Sequence, residues 1–438
     1  METANVVGRL GMLTGPNEIR RRVLTALAAL GTTSIAGVAS PNSAEVRAPN
    51  ERVDYGKNTL LPGVRSRVVD NNNGVAMHIL EAGFEVPGQR CVVLLHGFPE
   101  LAYSWRNQLL PLAAAGYHVI APNLRGYGRS TSAPVKFDDD LLPYTLLNRV
   151  SDVVGLVRAL GFERVAAVIG HDWGSSTAAW CALVRPDIFQ SVVLMSTPFG
   201  GPDTLPLNSA NIRWTPVANV DIQKTLAALP RPRKHYWWYC ATSSANENMW
   251  HSRQGVHDLL RAMYYYKSAD WPGNKPFALK AWTALELAKM PTYYIMDLDQ
   301  GIAETMAAHI PSHAQITACQ WLTEDDLQVY SAEYIRTGFQ GGLNYYRILT
   351  DPRFDAELYS FSDRSINVPA MFIGGARDWG VYQSPGVFEG MQHGACTRLL
   401  GVHLIDGAGH WMAEERPQQI NQLLIDFLHR VAAAPSRA

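Results

Sequence analysis

Four short apolar runs constrain the fold most: "CVVLLHG" (91–97), "YHVIAPN" (117–123), "RVAAVIG" (164–170) and "SVVLMS" (191–196), each separated from the next by a stretch of helical pattern. A strand with one wet face alternates, whereas a strand buried on both faces reads as a nearly unbroken apolar run. Such runs alternating with helices predict an α/β chain: a mostly parallel sheet covered by helices on both faces. Upstream, "SRVVDNNNGVAMHILEAG" (66–83) alternates on both sides of an "NNNG" turn and predicts an antiparallel hairpin. The pattern lapses over about 201–350. It resumes at "PAMFIGG" (369–375) and "TRLLGVHLIDGAG" (397–409), then closes on a helix, "PQQINQLLIDFLHRVA".

The lapse is helical in pattern and holds 11 of the 18 tyrosines and 7 of the 12 tryptophans. So strong an aromatic bias predicts an inserted helical cap (201–350) between two parts of one core, 46–200 and 351–438. With 438 residues, 47% of them hydrophobic, the chain can bury such a core. A net charge of −1 gives no field for nucleic acid or an anionic membrane, so a small-molecule partner is expected. The five cysteines (91, 181, 240, 319, 396) lie apart, with no metal-ligand spacing. They are expected to be buried thiols, with one disulfide as the alternative.

Residues 1–45 differ from the rest. "NEIRRRVLTALAALGTTSIAGVAS" places three arginines before a mildly apolar run and a zone of small residues. This is the layout of an export signal, by the twin-arginine route on its paired arginines; the alternative is a cytoplasmic protein with a disordered or amphipathic extension. The run is too short and too rich in Gly, Ser and Thr to span a membrane comfortably.

Four features carry chemistry. "VIGHDWGSS" is a strand, a sharp turn and a helix, with glycines two places either side of Asp172. That layout usually lifts a serine above the sheet as a nucleophile. An ionised carboxylate at this place is unlike a structural residue, because a buried unpaired charge is costly. "LLHGFP" ends a strand in His-Gly, where the N–H groups of Phe98 and Trp173 can converge as an oxyanion hole; taken alone it is equally a strand-to-loop turn. "IGGARDWG" sets Asp378 just past a predicted strand, where open α/β sheets place their sites, with Asp203 as the rival acid. "DGAGHWMAEERP" sets His410 in a loop after the last strand.

Taken together, "HGFPELAYSWRNQL", "RGYGRS", "GHDWGSS", "GARD" and "GHWMAEERPQQIN" resemble the epoxide hydrolases of the α/β-hydrolase family over about 90–430. The resemblance implies an Asp172 nucleophile, a His410 base oriented by Asp378, and two cap tyrosines that bind the epoxide oxygen. Tyr346 matches the family segment in "GGLNYYR", and Tyr236 matches it in "KHYWWYC", with Tyr239 and Tyr264 to Tyr266 as substitutes. It also implies that Phe98 and Trp173 join the tyrosines around the substrate, that water is the second substrate, and that no metal or organic cofactor is used. Two departures stand out. Asn123 replaces the aspartate that precedes the "RGYG" motif, which touches a loop hydrogen bond, and the cap is longer than is usual for the family.

Three other readings compete. A haloalkane dehalogenase shares the Asp-Trp pair, but Phe98 stands where those enzymes generally hold a halide with asparagine, and the two tyrosines would have no task. A fluoroacetate-type dehalogenase would need an arginine after the elbow aspartate. A non-catalytic receptor on the same fold would have no use for a complete nucleophile, acid and base.

Overall fold

The computed structural model describes residues 59–131, 133–203 and 221–433. The export segment expected at 1–45 lies outside the described residues. The core is an eight-stranded sheet in the order β1-β2-β4-β3-β5-β6-β9-β10. Its strands are β1 (Arg65–Asp70), β2 (Ala76–Ala82), β3 (Arg90–Leu95), β4 (Tyr117–Pro122), β5 (Val165–His171), β6 (Val192–Met195), β9 (Ala370–Gly375) and β10 (Leu399–Ile405). The predicted hairpin is β1–β2, with Asn71 to Val75 forming the turn, and β2 pairs antiparallel with β4. From β4 to β10 every pairing is parallel. The apolar strands β3, β5 and β9 are almost wholly buried, as their unbroken apolar sequences require.

Parallel register places the carboxyl ends of the strands together. Leu95 pairs with Gly170, His171 with Met195, and Met195 with Ile373. The residues just beyond these ends (Phe98, Asp172, Ser196, Asp378 and, after β10, His410) therefore emerge along one edge of the sheet, where open α/β sheets bind their ligands. Helices α1 (Arg106–Ala114), α2 (Leu146–Ala159) and α3 (Trp173–Val184) connect the strands.

Between β6 and β9 the chain leaves the sheet. The described part of this insert is helical, including α4 (Gly255–Lys267), α5 (Glu324–Thr337) and α6 (Gln340–Thr350). It also contains a short antiparallel ribbon, β7 (Arg233–His235) with β8 (Ile295–Asp297), which the helical pattern of the sequence did not foretell. Three-residue strands are too short to show a period. The chain closes on α7 (Pro417–Ala433). No helix among the described residues is long and apolar enough to cross a membrane. All five cysteines are free thiols, Cys319 half-buried and the others buried.

Candidate active site

The turn between β5 and α3 is sharp and crowded. Asp172 has φ +52° and ψ −117°, outside even the left-handed region that Asn and Asp tolerate. A Cβ on Gly170 would lie 2.0 Å from the Gly174 carbonyl oxygen, and one on Gly174 would lie 2.0 Å from that of Leu95. Only glycine fits either place, so the G-x-D-x-G spacing is dictated by backbone meeting backbone. Across from the turn, Gly97 has no room for a side chain either, because its Cβ would fall 2.4 Å from that of Asp172. That closeness lets the Phe98 N–H donate to Asp172 Oδ1 at 3.0 Å. The Trp173 N–H, first of α3, is one of the amides that a helix leaves without an internal partner.

The other carboxylate oxygen, Oδ2, lies 3.7 Å from His410 Nε2. His410 Nδ1 donates to Asp378 Oδ1 at 3.1 Å. A carboxylate can only accept, so this bond fixes the tautomer and leaves Nε2 as the basic nitrogen. Asp378 Oδ1 also accepts from Gly380 N at 2.7 Å, and Ser196 Oγ lies 3.0 Å from His410 Nδ1. His410 and Asp378 are 0% and 1% exposed, so the pair works out of water. Asp203, the rival acid, is elsewhere: its carbonyl accepts from Ser362, and its charge bears on Asp355 rather than on His410.

Burial disfavours a charged Asp378, but the His410 charge and hydrogen bond, with help from Ser196 and Gly380, hold its carboxyl below the usual range. His410 goes the other way from simple expectation. Pairing with a carboxylate alone would raise its pKa; burial, followed by the nearby Lys267 charge, wins and lowers it. The backbone of Lys267, the last residue of α4, also accepts from His410 N at 3.0 Å. Glu415 brackets the same loop, accepting from Gly409 N and from Trp411 N at 3.0 Å each and from Ala269 N of the cap at 2.8 Å.

Behind the site lies a second buried pair that sequence reasoning missed. His171 Nδ1 meets Glu100 Oε2 at 2.7 Å, and its Nε2 meets the His410 carbonyl oxygen at 2.7 Å. Both partners are acceptors, so both ring nitrogens must carry protons and His171 is an imidazolium. Burial opposes that charge, but Glu100 outweighs it and lifts the His171 pKa to about 9. The Glu100 carboxyl falls to about 2 because His171 and His96 outweigh its own burial. Glu100 also takes the Gly97 N–H at 2.6 Å, so one ion pair joins the Phe98 turn, the elbow strand and the histidine loop. Both residues stand in motifs quoted above, but 71 positions separate them, and no local pattern marks the pairing.

The cap supplies the roof. In "GGLNYYR", Gly341 packs on Gly126, where a Cβ would lie 1.9 Å from its carbonyl oxygen, and Gly342 packs on Phe98, where a Cβ would lie 2.6 Å from the ring. Asn344 Oδ1 accepts from Gln340 and Arg347, and the Tyr345 hydroxyl donates to the Arg125 carbonyl. The motif thus ties α6 down on the core turns, and Tyr346 emerges over the elbow. Its ring stands edge-on to Trp173 at 4.9 Å, to Phe98 at 5.6 Å and to Tyr236 at 5.7 Å. Tyr236, Asp172, Trp173 and Gln383 line a cavity of about 160 Å³ whose other walls include Trp237 and Leu349. Burial, with contributions from the Asp172 charge, pushes both tyrosine hydroxyls well above their usual pKa, so both stay protonated.

The substitutes for Tyr236 point away. Tyr264 stacks on Trp411 at 4.3 Å and donates to the Pro99 carbonyl, Tyr265 receives Gln315, and Tyr266 meets Thr292. Tyr239 sits beneath the Lys234 ammonium. Asn123, the departure in the "RGYG" region, accepts from Ala102 N at 2.7 Å and meets His78 at 3.0 Å, so its amide serves the loop.

A strand–elbow–helix that carries a carboxylate, with an acid–histidine pair from the following strand ends, defines an α/β hydrolase with an aspartate at the elbow. Residues 90–417 match the family described as alpha/beta hydrolase fold. The chain is 32% identical over 376 residues to epoxide hydrolase A of Mycobacterium tuberculosis, covering 83% of this chain and 96% of that one. It is 32% identical over 370 residues to epoxide hydrolase 3 of Siraitia grosvenorii, covering 82% and 97%. Among solved structures it is similar to an epoxide hydrolase from an endophytic Streptomyces, with TM-score 0.67 and 30% identity over 85% of this chain and 98% of that one. It is also similar to epoxide hydrolase A from Mycobacterium thermoresistibile, with TM-score 0.65 and 32% identity over 84% and 98%. The chain belongs to the α/β-hydrolase fold family and, within it, to the epoxide hydrolases.

Proposed function

We propose that this enzyme hydrolyses epoxides to vicinal diols through an ester on Asp172. A serine attacks acyl carbon and becomes acylated, whereas a carboxylate can displace at sp³ carbon and supply the acyl half of the ester itself. Asp172 Oδ2 attacks an epoxide carbon, the C–O bond to the ring oxygen breaks, and that oxygen takes a proton from the tyrosine pair. Water then gives its proton to His410 Nε2 and adds to the Asp172 carbonyl carbon. The charge that grows on Oδ1 is met by the Phe98 and Trp173 N–H groups. Collapse releases the diol as the proton on His410 passes to the leaving oxygen, and the proton left on the regenerated Asp172 carboxyl goes to the tyrosinate, which restores the resting enzyme.

The observation that supports this reading most is the division of the carboxylate. Oδ1 accepts an amide hydrogen bond at 3.0 Å while Oδ2 stands toward the histidine at 3.7 Å, and the Asp172 charge helps to keep the Tyr236 and Tyr346 phenols protonated. One turnover with excess enzyme in heavy-oxygen water tests it. The first diol should contain ordinary oxygen from the carboxylate; heavy oxygen in that diol would show direct attack by water and refute the ester.

Export through residues 1–45 is proposed on the arginines at 20, 21 and 22 and the apolar run after them. The processed chain should begin between about 38 and 46, on small-residue grounds. Lysine at both 20 and 21 should trap the precursor inside a bacterial host, and cytoplasmic accumulation of uncleaved wild-type chain would refute the proposal.

A further inference from the structure

The Asp172 charge bears on both Tyr236 and Tyr346, but the two are not equivalent. The Tyr236 hydroxyl donates to Gln383 Oε1 at 3.0 Å, while the Tyr346 hydroxyl makes no hydrogen bond among the described residues. A phenol has a single proton to donate. While Tyr236 gives it to Gln383, it cannot give it to an epoxide oxygen. Gln383 lies in the loop after Asp378, is 6% exposed and lines the Asp172 cavity. Its Nε2 is held only loosely, 3.5 Å from the Gly380 carbonyl oxygen, so the amide can move without breaking a strong bond of its own. The Tyr346 ring, by contrast, is clamped between Trp173 and Phe98 by a helix whose glycines leave no slack.

We propose that Gln383 is a positioning residue that commits the Tyr236 proton in the resting enzyme, so that Tyr346 is the leading donor to the epoxide oxygen. Tyr236 joins only as it releases Gln383. This rests on the reading above, in which the two tyrosines are the acid. A neutral hydrogen bond that must be surrendered on the way to the transition state costs up to roughly tenfold in rate, which sets the size of the asymmetry.

The test is a set of single-turnover alkylation rates with styrene oxide. Tyr236→Phe and Tyr346→Phe are each measured with glutamine, leucine or glutamate at 383. With Gln383 in place, Tyr346→Phe should slow alkylation more than Tyr236→Phe, by about 3- to 10-fold. In Gln383→Leu the acceptor is gone, and the two penalties should become equal. Gln383→Glu keeps an acceptor at the same reach and should restore the difference, which a purely structural role for Gln383 would not do. Equal penalties with Gln383 in place would overturn the inference, even if Gln383→Leu failed to fold. So would an asymmetry that survives in Gln383→Leu. If the wild-type enzyme alkylates and the asymmetry is absent, this inference alone falls. If the wild type forms no ester from any epoxide, the proposed function falls and takes this inference with it.

Discussion

His410 Nε2 stands 3.7 Å from Asp172 Oδ2, close to that oxygen but not hydrogen-bonded to it. The gap matters for both half-reactions. A histidine bonded to Oδ2 would hold the carboxylate back from attack, whereas this one leaves the oxygen uncapped and keeps its own basic nitrogen unspent for water. In the proposed reaction the imidazole therefore belongs to the second step.

The first expectation follows from that assignment. His410→Gln should open one equivalent of epoxide and then stall as the Asp172 ester. Intact-mass measurement should show the adduct, and turnover should fall by about 10²–10⁴-fold with loss of the general base. Multiple turnover near the wild-type rate would refute the role.

The second concerns pH. The base must be neutral, so ester hydrolysis weakens as pH falls through the His410 pKa. Burial, Lys267 and the His171 imidazolium lower that pKa, against Asp378, which raises it, and the net direction is down. The acidic limb should therefore lie below the ordinary histidine value of ~6.5. Lys267→Met removes a cation and leaves the carbonyl that His410 N uses, so the limb should move to higher pH. Single-turnover hydrolysis rates against pH would check this; a limb unmoved in the variant would count against a field from Lys267.

The direction of that shift shows where sequence reasoning stops. The elbow, Asp378 and His410 were legible because each follows an apolar strand and is bracketed by glycines whose need is local. The choice among Tyr236, Tyr239 and Tyr264 to Tyr266 was not, because packing against Trp411, Gln315 and Thr292 turns the alternatives away. Glu100 with His171, and Lys267 beside His410, are relations between distant segments. Whether Asp378 raises the histidine pKa or burial lowers it depends on how completely the cap closes over the loop, which no motif encodes.

The third expectation is steric. A methyl group at 341 would meet the Gly126 carbonyl oxygen at 1.9 Å, and no rotamer can relieve a clash with backbone. Gly341→Ala should move α6 away from the core at a cost of about 1–3 kcal/mol. Tyr346 would move with it, and a misplacement of about 1 Å can cost ~10²-fold in rate. Thermal unfolding and single-turnover alkylation should both fall; a variant with wild-type values for each would show that the glycine contact does not set the tyrosine.

The last expectation separates epoxide opening from displacement of a halide. An epoxide oxygen leaves carbon as an alkoxide still tethered to the product, so donors aimed at it lower the barrier as its charge develops. A halide departs as a stable anion and needs no proton. Tyr236 and Tyr346 both stay protonated because burial and the Asp172 charge oppose their ionisation. Replacing both with phenylalanine removes the protons but keeps the ring contacts of Tyr346 with Trp173 at 4.9 Å and Phe98 at 5.6 Å, so the cap should hold its place. The double variant should lose about 10²–10⁴-fold in alkylation by an epoxide. Hydrolysis of an ester already formed should change far less, because that step uses His410 and the two amides. Pre-steady-state measurement of ester formation and decay would separate the steps. If the double variant formed the ester as fast as wild type, the tyrosines would be cap packing only, and release of halide from a haloalkane panel would become the deciding assay.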